Sequence, residues 1–203
     1  MVNLKDIQDA LKNIQPFIHK TPLIHSNSFS RLINAEVYLK AENLQKTGSF
    51  KVRGAFNKLT GIKDGKVIAA SMGNHAQGVA FAANALGIHA EIVMPVTAPI
   101  VKQEATKSYG AEVVLYGETF SDALSHALSQ KDYTFIHAFD DEKVIAGQGT
   151  IGIEIIEDLK GIDFVIVPVG GGGLISGIAS AVKALSPKTR IIGVQTESAT
   201  SAY

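Results

Sequence analysis

The sequence of 203 residues contains no cysteine. Disulfide scaffolds, thiolate metal sites and cysteine nucleophiles are thereby excluded. Charge of one sign is also lacking: Lys plus Arg and Asp plus Glu both total 19, for a formal net charge of +0. A nucleic-acid or anionic-membrane surface needs a basic footprint, so neither is expected as a partner and a small molecule is. Long hydrophobic runs are missing too, since stretches such as 164–169 fall far short of the roughly 20 residues that cross a bilayer. The opening MVNLKDIQDALKNI spreads its charges among apolar residues at helical spacing, whereas an export signal sets them before a continuous apolar core. A cytoplasmic location is the expectation.

What is present is enough apolar material, 46% of residues, for one good core or two small ones. From Lys66 onward, KVIAAS, AEIVMP, AEVVLY and YTFIHAF alternate with the helix-period segments NHAQGVAFAANAL, APIVKQEATKSY and FSDALSHALSQ. Three strand-helix repeats closed by a fourth strand predict an open α/β lobe with a parallel sheet over 66–140. Gly87, Gly110 and Gly117 mark its turns, and the stripe Phe120, Leu124, Leu128 is expected to face its core. DFVIVPVGGGGLISGIASAVKAL and RIIGVQTE form a second strand, glycine turn, helix and strand. TPLIHSN and EVYLKAE are the N-terminal strands available to extend it, with a helix over 49–59 opened by a Ser49 cap. The smaller lobe, 66–140, would then be inserted into a larger one made of 1–65 and 141–203.

The run Gly170, Gly171, Gly172, Gly173 lies between an apolar strand and a helix starting near Leu174. It can turn tightly and expose successive N–H groups beside a helix N-terminus, which suits a phosphate. Neither a dinucleotide fingerprint nor a Walker loop fits. The third glycine of the first is replaced by Ile175 or Ser176, and Gly177 is followed by Ile178 and Ala179 instead of Lys and Ser or Thr. Lys51 follows a helix cap beside Phe50, where burial would lower its pKa toward that of a nucleophilic amine; on these residues alone a solvated lysine is the commoner reading. Ser71-Met-Gly-Asn-His-Ala-Gln77 ends a strand and opens a helix, where ligands of open α/β sheets bind. Its polar side chains suit either a ligand or a capping turn.

Four separated motifs, KTGSFKVRGA, SMGNHAQGVA, VIAGQGTIGIEI and PVGGGGLISGIA, stand in the order and spacing of the fold-type II pyridoxal-phosphate enzymes, and the chain most resembles the threonine dehydratase and serine racemase family over essentially its whole length. The resemblance implies two open parallel-sheet lobes, the larger one incomplete at its C-terminal end, and pyridoxal 5'-phosphate as cofactor. It implies that Lys51 holds the cofactor as a Schiff base, Asn74 bonds its 3-hydroxyl, and Gly170, Gly171, Gly172, Gly173 and Leu174 cradle its phosphate. It also implies that Ser71, Gly73, Asn74 and His75 grip the substrate carboxylate. The activity implied is dehydration and deamination of L-threonine or L-serine to a 2-oxo acid and ammonia, with the freed Lys51 amine taking the Cα proton. Racemases of this type carry a serine where this chain has Met72, which cannot move a proton, so dehydration is favoured over serine racemisation. Members of the family run well beyond 300 residues. A non-catalytic fragment is therefore the rival expectation, one lacking the partner of the cofactor's ring nitrogen and associating with another copy or a complementary segment through the larger lobe. The six histidines show no metal-ligand spacing, no metal is expected, and Asp140, Asp141 and Glu142 read as a solvated turn.

Overall fold

A computed structural model of the chain describes residues 1–63 and 65–198. Helix α1 (Leu4–Ile14) starts at a capping box in which Asn3 and Asp6 satisfy each other's backbone N–H, and it buries Ile7, Ala10 and Ile14. Strands β1 (Leu23–His25) and β2 (Tyr38–Lys40) flank helix α2 (Asn27–Ile33). Helix α3 (Lys51–Leu59) precedes four strands, β3 (Lys66–Ala70), β4 (His89–Met94), β5 (Glu112–Leu115) and β6 (Tyr133–Phe135). These alternate with helices α4 (Asn74–Ala85), α5 (Ile100–Ser108) and α6 (Phe120–Ser129). The sheet is parallel, in the order β5-β4-β3-β6. Helix α7 (Glu142–Asp158) then leads to β7 (Phe164–Pro168), α8 (Gly173–Leu185) and β8 (Arg190–Val194), with β7 and β8 again parallel. Gly87, Gly110 and Gly117 all have positive φ, as their turns require.

Three expectations need correction. The N-terminal strands do not extend the β7–β8 sheet among the described residues; α2 ends at a left-handed Asn34 and turns the chain back, so β2 pairs antiparallel with β1. Ser49 does not cap α3. The N-cap is Phe50, one residue later, so the Ser49 hydroxyl cannot reach the first-turn amides and is buried without a hydrogen-bond partner. The Phe120–Leu124–Leu128 stripe meets the core only at Leu124. Helix α6 turns Ala123 and Ala127 onto Ile68, Ala70 and Val93, because small side chains let it lie close to the sheet, and Phe120 and Leu128 stay exposed.

The opposite face of the sheet is covered by α3 and α4, where Val52, Phe56 and Leu59 join Val67, Ala69, Val79 and Ile92 in one apolar cluster. Helix α3 in turn packs on α7, and α7 on α8, by backbone approach. A Cβ on Gly147 would lie 2.6 Å from the Arg53 carbonyl oxygen, and one on Gly177 would lie 2.3 Å from the Ile145 carbonyl oxygen. Beneath this contact Arg53 is fully buried, bonded to Glu154 at 2.6 and 3.0 Å and to Glu42 at 2.8 and 2.9 Å. Lys40 joins the same Glu154 at 2.7 Å. Burial works against the Arg53 charge, but the bonds to Glu154 and Glu42 outweigh it and raise its pKa. Strands β7 and β8 bury Val165 and Val167 on one side and leave Phe164, Ile166, Ile192 and Val194 on an open face.

Candidate active site

The helix contacts around α7 bring two distant parts of the chain to one cleft of about 220 Å³. Phe50 and Lys51 line it from the start of α3, Ala138 and Phe139 from the segment after β6, Gln148 from α7, and Pro168, Gly170, Gly171, Gly172, Gly173 and Leu174 from the β7–α8 connection. The Lys51 Nζ donates to the Ala138 carbonyl at 2.7 Å and lies 5.4 Å from the centre of the Phe50 ring. Burial pushes the Lys51 pKa down. A larger fraction of the amine is then neutral, as attack on a carbonyl requires.

Across the cleft, Gly172 takes φ +85° as the N-cap of α8, with no side chain capping the helix. The first amides of a helix lack intrahelical acceptors and carry the positive end of its dipole. On the cleft wall, the buried Gln148 Oε1 has no hydrogen-bond partner. Glycine is needed at 171 and 173 because Phe139 lies against them. A Cβ at Gly171 would fall 2.3 Å from the Phe139 ring, and one at Gly173 would fall 2.7 Å from the Phe139 carbonyl oxygen.

The Ser71–His75 loop is not among the walls of this cleft. It is tied to Lys51 through α4: Gly78 packs against the Lys51 backbone, and Asn74, one turn earlier on the same side of the helix, is exposed. The Ser71 hydroxyl accepts from the Gly73 N–H at 3.2 Å. The side chain of His75 points elsewhere. It is buried, its Nε2 sits 2.9 Å from the Ile136 carbonyl, and burial first, then the nearby Lys51 charge, lowers its pKa to about 4, opposed by that carbonyl. What His75 offers the loop is its backbone N–H. The sequence reading had no signal for Ala138, Phe139 or Pro168 as wall residues; Gln148 lay unremarked within the VIAGQGTIGIEI motif.

A family model described as pyridoxal-phosphate dependent enzyme matches residues 14–203. The chain belongs to that family. Among relatives within it, the L-threonine ammonia-lyase of Thermotoga maritima is 50% identical, over 97% of this chain and 51% of the relative. Of solved structures, the processed threonine deaminase isoform 2 of Solanum lycopersicum superposes with a TM-score of 0.91 at 45% identity, covering 94% of this chain and 55% of that one. Maize serine racemase gives 0.90 at 37% identity, covering 95% and 60%. The chain spans between 51% and 59% of the length of curated relatives it matches. A pyridoxal-phosphate dependent enzyme needs an amine for the cofactor's aldehyde and an anion cradle for its phosphate. The cleft offers both in Lys51 and the start of α8.

Away from the cleft, the acidic turn has specific partners. Asp141 caps α7 by accepting from Lys143 and Val144 and pairs with Lys58 at 2.5 Å, and Glu142 pairs with the N-terminal amine. His89, Glu91 and Glu112 each bring a potential ligand atom within 4.8 Å of the others, across the parallel register of β4 and β5. Glu91 also accepts from the Tyr133 hydroxyl, and exposed acidic groups often gather in this way without an ion. No helix among the described residues is long and apolar enough to cross a membrane.

Proposed function

We propose that this chain carries the cofactor-binding part of an ammonia-lyase that uses pyridoxal phosphate to convert L-threonine or L-serine into a 2-oxo acid and ammonia. The observation that carries the reading is a single cleft joining the half-buried Lys51 amine, its pKa lowered by desolvation, to the uncapped glycine start of α8. Lys51 would hold the cofactor, and the amides of Gly170, Gly171, Gly172, Gly173 and Leu174 its phosphate. Asn74 would donate to the ring oxygen. Ser71 and the backbone N–H groups of Gly73, Asn74 and His75 would bind the substrate carboxylate at the start of α4. When bound, the cofactor supplies an electron sink for the pair left behind as Cα loses its proton. The Lys51 amine would stand as the base for that proton.

Similarity to a serine racemase supports a second reading. Met72 argues against it, since it packs into the core beneath the loop and has no proton to give. We assign the small lobe to 66–140, within which the four-stranded sheet closes, and the larger one to 1–65 with 141–203. The larger lobe would associate with another copy, or with a complementary segment, through the open face bearing Phe164, Ile166, Ile192 and Val194. Alone, the chain would show little turnover. A balanced surface charge and a small amino-acid substrate suit a cytoplasmic enzyme. The test is turnover of L-threonine and L-serine by the whole protein and by its Lys51→Ala variant, assaying 2-oxo acid and D-serine. Loss of 2-oxo acid formation in the variant supports the reading; retained turnover, or D-serine as the major product, overturns it.

A further inference from the structure

His137 follows β6 and begins the short connection to α7. Its Nδ1 accepts from two backbone amides, that of Asp140 at 2.8 Å and that of Phe139 at 3.3 Å. The imidazole also packs edge-on against the Phe139 ring, with centroids 4.7 Å apart. The turn folded in this way carries the two groups that meet the cleft from this side: the Ala138 carbonyl, which accepts from Lys51 at 2.7 Å, and Phe139, which lies on Gly171 and Gly173.

We propose that His137 is a positioning residue for the cofactor site: its neutral imidazole ties the 137–140 turn, and the turn sets where the Ala138 carbonyl and the Phe139 ring stand relative to Lys51 and the glycine run. A ring nitrogen accepts only while it lacks a proton, and the imidazolium is a donor at both nitrogens. Protonation would therefore set an N–H against two N–H groups and release the turn. The charged and titratable groups around it are Lys51 on α3, His75 on α4, and Asp140 and Asp141 on the turn itself, with Asp141 already paired to Lys58. The functional part of this inference rests on the cleft being the pyridoxal-phosphate site; the turn geometry does not.

The experiment compares the chain with its His137→Ala and His137→Asn variants. Asparagine keeps an oxygen that can accept from backbone amides two and three residues on, and it does not titrate. Without cofactor, exchange at the Phe139 and Asp140 amides, corrected for intrinsic rates, should rise about tenfold in His137→Ala, one ordinary hydrogen bond each. It should return toward the parent level in His137→Asn. With pyridoxal phosphate added, its release, followed by the visible absorbance of the lysine-bound form, should be faster in His137→Ala and restored in His137→Asn. Unchanged exchange in His137→Ala, or imidazole nitrogen shifts showing Nδ1 protonated at pH 7.5, overturns the proposal. Equal release rates in all three proteins overturn the positioning role. Failure of the parent to hold pyridoxal phosphate at all would instead overturn the cofactor reading, and the exchange arms would still decide the turn.

Discussion

Acidification should destabilise the fold through His75, and the structure sets the size of the effect. The side chain is buried with its Nε2 on the Ile136 carbonyl, and its pKa falls from 6.5 to about 4, chiefly through burial. A base whose pKa is depressed in the folded state gives full stability above its unfolded value and loses it as pH falls toward the folded one. The window is therefore from 6.5 down to about 4. At about 1.4 kcal/mol per pH unit the gap corresponds to about 3 kcal/mol, of which about 2 kcal/mol is lost between pH 7 and 5. His75→Gln keeps a donor in place of the Nε2–H and removes the titration. Urea unfolding of both proteins at pH 7, 6 and 5 isolates the contribution, since the acidic residues titrate alike in each. The parent should lose about 2 kcal/mol more than the variant over that range. Parallel pH profiles would refute a buried, neutral His75.

Glu154→Gln should cost about 3–5 kcal/mol by urea unfolding, because it leaves Arg53 and Lys40 buried without the carboxylate they share. Gly177→Ala should lower stability by about 1–3 kcal/mol despite alanine's better helix propensity, since its Cβ would meet the Ile145 carbonyl oxygen at 2.3 Å; calorimetry reads this as a lower Tm. Asp141→Ala should cost about 1 kcal/mol from the lost α7 cap, with the Lys58 pair adding little. Together the three variants separate charge burial, helix contact and capping.

The strand-helix alternation from Lys66 to Phe135 was legible because short β-branched apolar runs and helix-period runs follow one another, with Gly87, Gly110 and Gly117 at turns between them, and the sheet forms from those runs. Lys51 and the glycine run were legible as motifs, and both lie within the 14–203 family match. Less legible was anything set by approach in space. The Phe139 ring reaches Gly171 only because α7 carries the turn across to α8, and no local pattern records that contact. Nothing local in the sequence marks Arg53 as buried; α7 brings Glu154 against it. The α6 stripe misled at Phe120 and Leu128 because Phe120, Leu124, Leu128 and the Ala123, Ala127 pair all recur at helical spacing. Closeness to the sheet selected the small residues.

The central claim is that Lys51 is the residue that holds pyridoxal phosphate. The chain would be incubated with pyridoxal phosphate, reduced with borohydride to make any lysine linkage permanent, digested, and mapped by mass spectrometry. The pyridoxyl label is expected on Lys51, with labelling diminished when inorganic phosphate competes for the start of α8. Labelling of another lysine in preference to Lys51, or none at all, would contradict it.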